Sequence, residues 1–161
     1  ASFCQCLTTV RVTRGGQTVE QFTSIRSIFI NLPVTNIAQT RAFWSKLGFR
    51  FNEAFSNDKA LCLILQPDAI YAMLTTREYL QTFTNRPVAD GSTTQVLLAI
   101  DVGSRERVDE IMRIAVENGA THYLQPEDVG WMVYDRFADP DGNQWEITYL
   151  DSSLIPQAEG T

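Results

Sequence analysis

The chain has 161 residues, with 13 Lys and Arg against 19 Asp and Glu, and a formal net charge of -6 at pH 7. That length suits one domain whose core needs neither a disulfide nor a metal, and the acidic balance excludes a polyanion partner, because nucleic-acid binding rests on Lys and Arg neutralising phosphates. Its longest apolar runs, such as Ala60 to Leu65, are strand-length and far short of a membrane span.

Residues 1–24 read as an N-terminal extension. Val10 to Arg14 and Thr18 to Phe22 flank Gly15-Gly16, a hairpin signal, and the segment is expected to serve as an added edge, a dimer arm or a disordered leader. Cys4 and Cys6 form a C-x-C pair without the second Cys or His cluster that a zinc site needs. With three cysteines and no evident pairing, a reducing cytoplasm is the expected setting, and no basic stretch followed by an apolar one marks a signal peptide.

The next segment, Ile28 to Val34, places Ile28, Ile30, Leu32 and Val34 on one face of a strand. Asn36, with Gln39 three residues on, opens a helix in the manner of a capping box. Ile37, Phe43, Trp44 and Leu47 give that helix its apolar side, and Gly48 ends it. Phe49, Phe51 and Phe55 then start a new alternating stretch. Ala60 to Leu65 follows as a strand in which Cys62 is a small buried hydrophobe, and Pro67-Asp68 turns the chain into Ile70 to Thr75. The order is β-α-β-β-β. Residues 77–94 link this unit to the next, with a short helix expected over Glu78 to Phe83; a loop of this length covers a site, contacts a partner or merely connects.

From Gln95 the order repeats. Val96, Leu98, Ile100 and Val102 alternate along a strand, Ser104 caps a helix, and Val108, Ile111, Met112, Ala115 and Val116 recur at helical spacing. Asn118-Gly119 stops that helix; strands are then expected over Thr121 to Leu124 and Trp131 to Ala138, followed by the turn Asp139-Pro140-Asp141-Gly142 and a closing strand, Gln144 to Leu150. Pro67 lies six residues before Met73 just as Pro140 lies six before Glu146, so these two positions correspond, and Phe29 and Asn31 map onto Leu97 and Ala99. The predicted class is α+β, two tandem β-α-β-β-β units (about 28–75 and 95–150) forming a curved mixed-sheet cup within a domain of residues 25–151, with 152–161 as a C-terminal tail.

The first strand I-F-I-N-L-P-V, the helix ending F-W-S-K-L-G-F and the closing D-P-D-G-N-Q-W-E-I resemble the glyoxalase/bleomycin-resistance/extradiol-dioxygenase superfamily, the vicinal oxygen chelate fold, over roughly Ser27 to Asp151. The resemblance implies that each unit curls a sheet into half a cup with its helix outside, and that paired units or subunits complete the cavity, as in a homodimer. It also implies four metal-ligand positions in the metal-dependent enzymes, which fall here on Phe29, Met73, Leu97 and Glu146. Of these only Glu146 can bind a hard metal, and one carboxylate does not hold a catalytic divalent ion against water. The lone histidine, His122, is expected to be a surface residue at a helix-to-strand junction.

Under this face assignment the cup receives Phe29, Asn31, Tyr71, Met73, Leu97, Ala99, Gln144, Glu146 and Thr148, an apolar lining with a few polar groups, as small-molecule sites have. Trp131, Tyr134 and Arg136 stand on the preceding strand and could border the same opening. Glu146, facing Met73, Phe29 and Leu97, would be desolvated and its carboxyl pushed towards neutrality, as a general base requires. The expected function is metal-independent binding of a small, neutral or cationic organic molecule, of the bleomycin-resistance kind, with no cofactor. The alternative is a glyoxalase-like lyase or isomerase acting next to a carbonyl, with Glu146 as base or as ligand to a divalent metal; nothing supplies an evident set of basic residues for glutathione.

Overall fold

The structure, a computed structural model, describes residues 25–155 together with the backbone of Thr13–Arg14 and Gln17–Thr18. Cys4, Cys6, the remainder of the N-terminal extension and residues 156–161 lie outside the described residues. β1 (Thr13–Arg14) pairs antiparallel with β2 (Gln17–Thr18); the rest of the hairpin expected from Val10 to Phe22 lies outside the described residues.

The first unit is built from β3 (Ile28–Val34), α1 (Ile37–Lys46), β4 (Arg50–Phe51), β5 (Ala60–Gln66) and β6 (Ile70–Thr76), and its sheet order is β3-β6-β5-β4. The second consists of β7 (Leu97–Asp101), α3 (Arg105–Glu117), β8 (Thr121–His122), β9 (Glu127–Asp128), β10 (Met132–Ala138) and β11 (Gln144–Leu150), with the order β7-β11-β10-β8 and β9 beside β10. In each unit the first strand runs parallel to the last and the others are antiparallel. The repeat is therefore one of topology as well as of element order. Register agrees with it: Phe29 pairs Tyr71 as Leu97 pairs Gln144, and Asn31 pairs Met73 as Ala99 pairs Glu146.

Local signals set the element ends. The Asn36 side chain accepts from the Gln39 amide at 3.0 Å and that of Ser104 from the Arg107 amide at 3.2 Å, each filling an orphan donor of a first helical turn. Phe55 is not in a strand as expected. It belongs to a 3-10 turn, Glu53–Phe55, because Asn52 caps the Ala54 amide and tightens the chain there. The linker helix, α2, is Arg77–Gln81, starting directly off β6 and stopping short of Phe83. The strand expected over Thr121 to Leu124 ends at His122, and that expected from Trp131 begins at Met132.

Helices α1 and α3 cover the convex face of the two sheets, and a single core runs across the units. Trp44 of the first unit meets Trp145 of the second edge to face with centroids 4.6 Å apart, and Phe43 meets Phe137 at 6.1 Å; all four rings are buried. The D-P-D-G turn is the polar counterpart of this seam. Asp141 accepts the Thr35 amide and hydroxyl at 2.7 Å each and the Thr40 hydroxyl at 3.2 Å, while the Asn143 side-chain Nδ2 donates to the Pro33 carbonyl at 2.9 Å. Asp68, the counterpart of Asp141 in the first unit, stands in the tight turn before β6 with φ 61°. No helix among the described residues is long and apolar enough to cross a membrane.

Candidate functional site

Alternation along the strands divides the side chains between the core and the concave face. In β7, Leu98 and Ile100 pack against the core while Leu97, Ala99 and Asp101 are exposed. In β3, Phe29 and Asn31 are exposed in the same way, with Phe29 45% and Leu97 47% accessible, so the floor of the cup along the two first strands is open. The Gln95 side chain, just before β7, reaches across the seam to the Asn31 carbonyl at 3.4 Å.

The two halves of the concave face differ in chemistry. On the first unit Phe29 stacks on Tyr71 with centroids 4.9 Å apart and planes 13° from parallel, and Phe55 closes edge-on at 6.4 Å. Met73 lies further along, beside Asn31 and Cys62. The loop carrying the 3-10 turn folds over Cys62, which donates its amide to the Ser56 hydroxyl, and burial pushes the Cys62 thiol up. This half is an aromatic platform with a filled flank.

The second unit's half is an ion-paired network. Arg136 faces Glu146 across the β10–β11 hairpin, its Nε donating to Glu146 Oε2 at 2.9 Å, and a terminal nitrogen donates to Glu127 Oε1 at 3.1 Å. The guanidinium lies over the Tyr134 ring, 4.5 Å from its centroid, and the Tyr134 hydroxyl donates to Glu127 Oε2 at 2.7 Å. Arg136 and Glu146 are largely buried, at 13% and 17% side-chain exposure, whereas Glu127 is exposed. The hydrogen bond from Tyr134, then that from Arg136, holds the Glu127 carboxyl below the usual range, and donating to Glu127 raises the Tyr134 hydroxyl. Tyr123 is raised chiefly by burial, with Arg136 and Glu146 acting in opposite directions. Its hydroxyl therefore stays protonated at neutral pH. Arg105, paired with Asp128 and donating to the Gly130 carbonyl at 3.0 Å, pins this wall to the start of α3.

The sequence-predicted residues fall into these surroundings unequally. Phe29, Asn31, Tyr71, Met73 and Leu97 share the open floor, and Gln144 stands beside Leu97 with its carbonyl accepting from the Thr94 hydroxyl at 2.6 Å. Thr148 is buried and donates to the Ile100 carbonyl at 3.3 Å, so it does not line an open surface. Trp131 is half-buried before β10, at the end of the strand away from the D-P-D-G turn. Glu146 does not stand alone among apolar groups, because Arg136 supplies the counter-charge on the paired strand. His122 does more than sit on the surface: its Nε2 is 2.7 Å from Asp135 Oδ1, on the core-facing side of β10 and away from the cup.

Glu127 completes the network and Tyr123 feels its charges, and neither is among the residues expected from the sequence. Tyr123 falls in the strand expected over Thr121 to Leu124 and Glu127 in an irregular stretch after it, and their only signal as site residues is proximity to a hairpin whose register places Arg136 opposite Glu146. The four positions matching the family's metal ligands are poor in donors, since Phe29 and Leu97 have none and Glu146 is engaged by Arg136. Among the described residues no three His, Cys, Asp or Glu side chains group closely enough to hold a metal ion. The donor set does not fit a catalytic divalent metal.

Comparison with known proteins agrees with this architecture. The chain superposes on a hypothetical protein from S. aureus with a TM-score of 0.66 at 21% identity, covering 78% of this chain and 95% of the other. A glyoxalase/bleomycin resistance protein/dioxygenase family enzyme from Burkholderia phytofirmans gives 0.61 at 22% identity, covering 76% and 96%. A bleomycin resistance determinant encoded on the transposon Tn5 gives 0.54 at 18%, covering 79% and 99%. Among curated proteins no match is found. The family model described as Glyoxalase/Bleomycin resistance protein/Dioxygenase superfamily matches residues 26–147, spanning both units and the strands that form the cup. With its tandem units, parallel first and last strands and closing D-P-D-G turn, the chain belongs to the glyoxalase/bleomycin resistance protein/dioxygenase superfamily.

Proposed function

We propose that this protein binds a small organic molecule on its concave face without a metal ion, in the manner suggested by its likeness to a bleomycin resistance determinant. The observation that carries the reading is the replacement of donors by contact surface. Where a metal enzyme of this family would place ligands, Phe29 is stacked on Tyr71, Leu97 is bare, and Glu146 is tied to Arg136. A flat ring gains area and stacking on the Phe29–Tyr71 platform. Beside it, the Arg136 network is internally paired, leaving two carboxylates to one guanidinium, which suits a neutral or cationic rather than an anionic ligand.

A lyase or isomerase with Glu146 as base is the weaker reading, because the carboxylate would first have to leave Arg136. A homodimer in a cytoplasmic setting remains part of the proposal, and light scattering on the purified protein checks the assembly.

The experiment is an NMR-monitored screen of flat neutral and cationic aromatics against chelator-treated protein. Shifts are expected to cluster on Phe29, Asn31, Tyr71, Met73 and Leu97, and Tyr71→Ala is expected to weaken the best ligand about tenfold, the loss of one aromatic contact. Stoichiometric zinc, nickel, iron or manganese in the protein as purified would overturn the proposal.

A further inference from the structure

Where the linker crosses the cup it forms a groove of about 360 Å³, lined by Leu80, Thr84 and Val88 on the linker and by Asn31 and Gln95 opposite, among others. This volume lies at the small end of the range for small-molecule sites, about 300–1,000 Å³. The linker is a built wall. At one end Leu80 is buried and α2 packs on β3 and β6. The Gln81 side chain braces the bend that follows, donating to the Thr84 and Arg86 carbonyls at 3.1 and 2.9 Å and accepting the Val88 amide at 3.2 Å. At the other end Gly91 lies against the D-P-D-G turn so closely that a Cβ on Gly142 would come within 3.0 Å of the Gly91 Cα. Thr94 is tied to Gln144.

Among the described residues, every lining residue is uncharged. The linker's charged side chains, Arg77, Glu78, Arg86 and Asp90, are absent from the lining, and Arg77 lies near enough to Asp90 to contribute to holding its carboxyl low, behind the hydrogen bonds from Ser92. An ion entering the groove would lose hydration and gain no counter-charge from these residues. Asn31 is the exception to the apolar floor. Its carboxamide offers a donor and an acceptor side by side, has no hydrogen-bond partner among the described residues, and is exposed two residues along the strand from Phe29, about 6.6 Å away. An apolar ligand seated over it would strip water from that amide and leave it unpaired.

Building on the concave-face binding proposed above, we propose that the groove between the 77–94 linker and Asn31 selects uncharged molecules bearing an amide or lactam edge, with that edge paired to the Asn31 carboxamide and the ring over Phe29 and Tyr71. Asn31 then determines specificity, and the Phe29–Tyr71 stack supplies contact area.

Three compounds of one ring skeleton test this: 2-quinolinone, which carries the lactam edge, quinoline, which offers an acceptor only, and N-methylquinolinium, which is a cation. Each is titrated into the full chain by NMR at pH 7.5. 2-Quinolinone is expected to bind about tenfold more tightly than the other two, and Asn31→Leu and Asn31→Asp are each expected to remove that preference. Thermal melting checks that both variants, changed at an exposed side chain, keep the fold. The inference is overturned if N-methylquinolinium binds as well as 2-quinolinone, or if both variants retain the lactam preference. Shifts at Phe29 and Tyr71 that do not depend on Asn31 would leave the concave-face reading standing and remove this one; no concave-face shift with any of the three would remove both.

Discussion

Asp139 opens the D-P-D-G turn and is buried, with its carboxyl pushed from the ordinary value of 3.8 up to about 6. Burial is the leading cause and the nearby Asp141 adds to it. The Asn143 amide, the Trp145 indole and the Asn143 side chain pull the other way, donating at 3.0, 3.2 and 3.2 Å. Because the folded-state value lies above the unfolded one, folding favours the neutral acid. The stability this group contributes is fully present below pH 3.8 and is lost as pH rises through about 6, by about 3 kcal/mol in all. Asp139→Asn removes the titration while keeping one oxygen for the Asp141 and Asn143 amides. Urea denaturation followed by circular dichroism at pH 4 and pH 8 is expected to find the variant gaining about 2 kcal/mol on the wild type between the two pH values, most of the total. Titrations common to both chains cancel in that comparison. In the wild type the Trp145 indole N–H resonance is expected to move with a midpoint near 6. A wild-type-to-variant difference that is the same at both pH values would refute the reasoning.

Arg136→Met leaves Glu146 and Glu127 without their shared cation in a half-dry corner, and is expected to cost about 2–3 kcal/mol in urea denaturation at pH 8; adding Glu146→Gln in the same chain should restore at least half of it, and no recovery would show that packing rather than charge is lost. Gly142 and Gly103 both have left-handed φ, 86° and 85°, but a Cβ at Gly142 meets the Gly91 backbone whereas at Gly103 it meets nothing within 4 Å. Gly103→Ala is expected to cost about 1 kcal/mol from backbone strain alone, and Gly142→Ala about 2–3 kcal/mol by the same denaturation. Equal losses would mean that the linker yields freely at Gly91.

Much of the architecture was legible because it rests on periodicities of two and 3.6. The strand Ile28–Val34, the Asn36 and Ser104 caps and the equal spacing from Pro67 to Met73 and from Pro140 to Glu146 depend only on local chemistry, and the register of both sheets agrees with them. Phe55 misled because its apolar side chain continued the beat of Phe49 and Phe51, while the Asn52 cap that bends the chain there is a single polar residue. At the site, the residues of the floor follow from alternation. The Arg136–Glu146 pair follows from the hairpin, since residues equidistant from a turn face each other, and it is invisible when Glu146 is set only beside Phe29, Met73 and Leu97. The contributions of Glu127 and Tyr123 depend on where an irregular loop returns, and the linker's inner wall depends on Gln81 bracing a bend; neither follows from a pattern within the segment itself.

The contact of Trp44 with Trp145 has a consequence for how far this duplicated architecture can be divided. Each half carries its own sheet and helix, yet each has donated a large ring to the other's interior. Cutting the chain within residues 77–94 would thus yield fragments that each expose an indole-sized apolar scar. Such pieces should recover structure by fragment complementation, mixed one to one, rather than fold apart, and the intact chain should unfold in a single cooperative step despite its internal repeat.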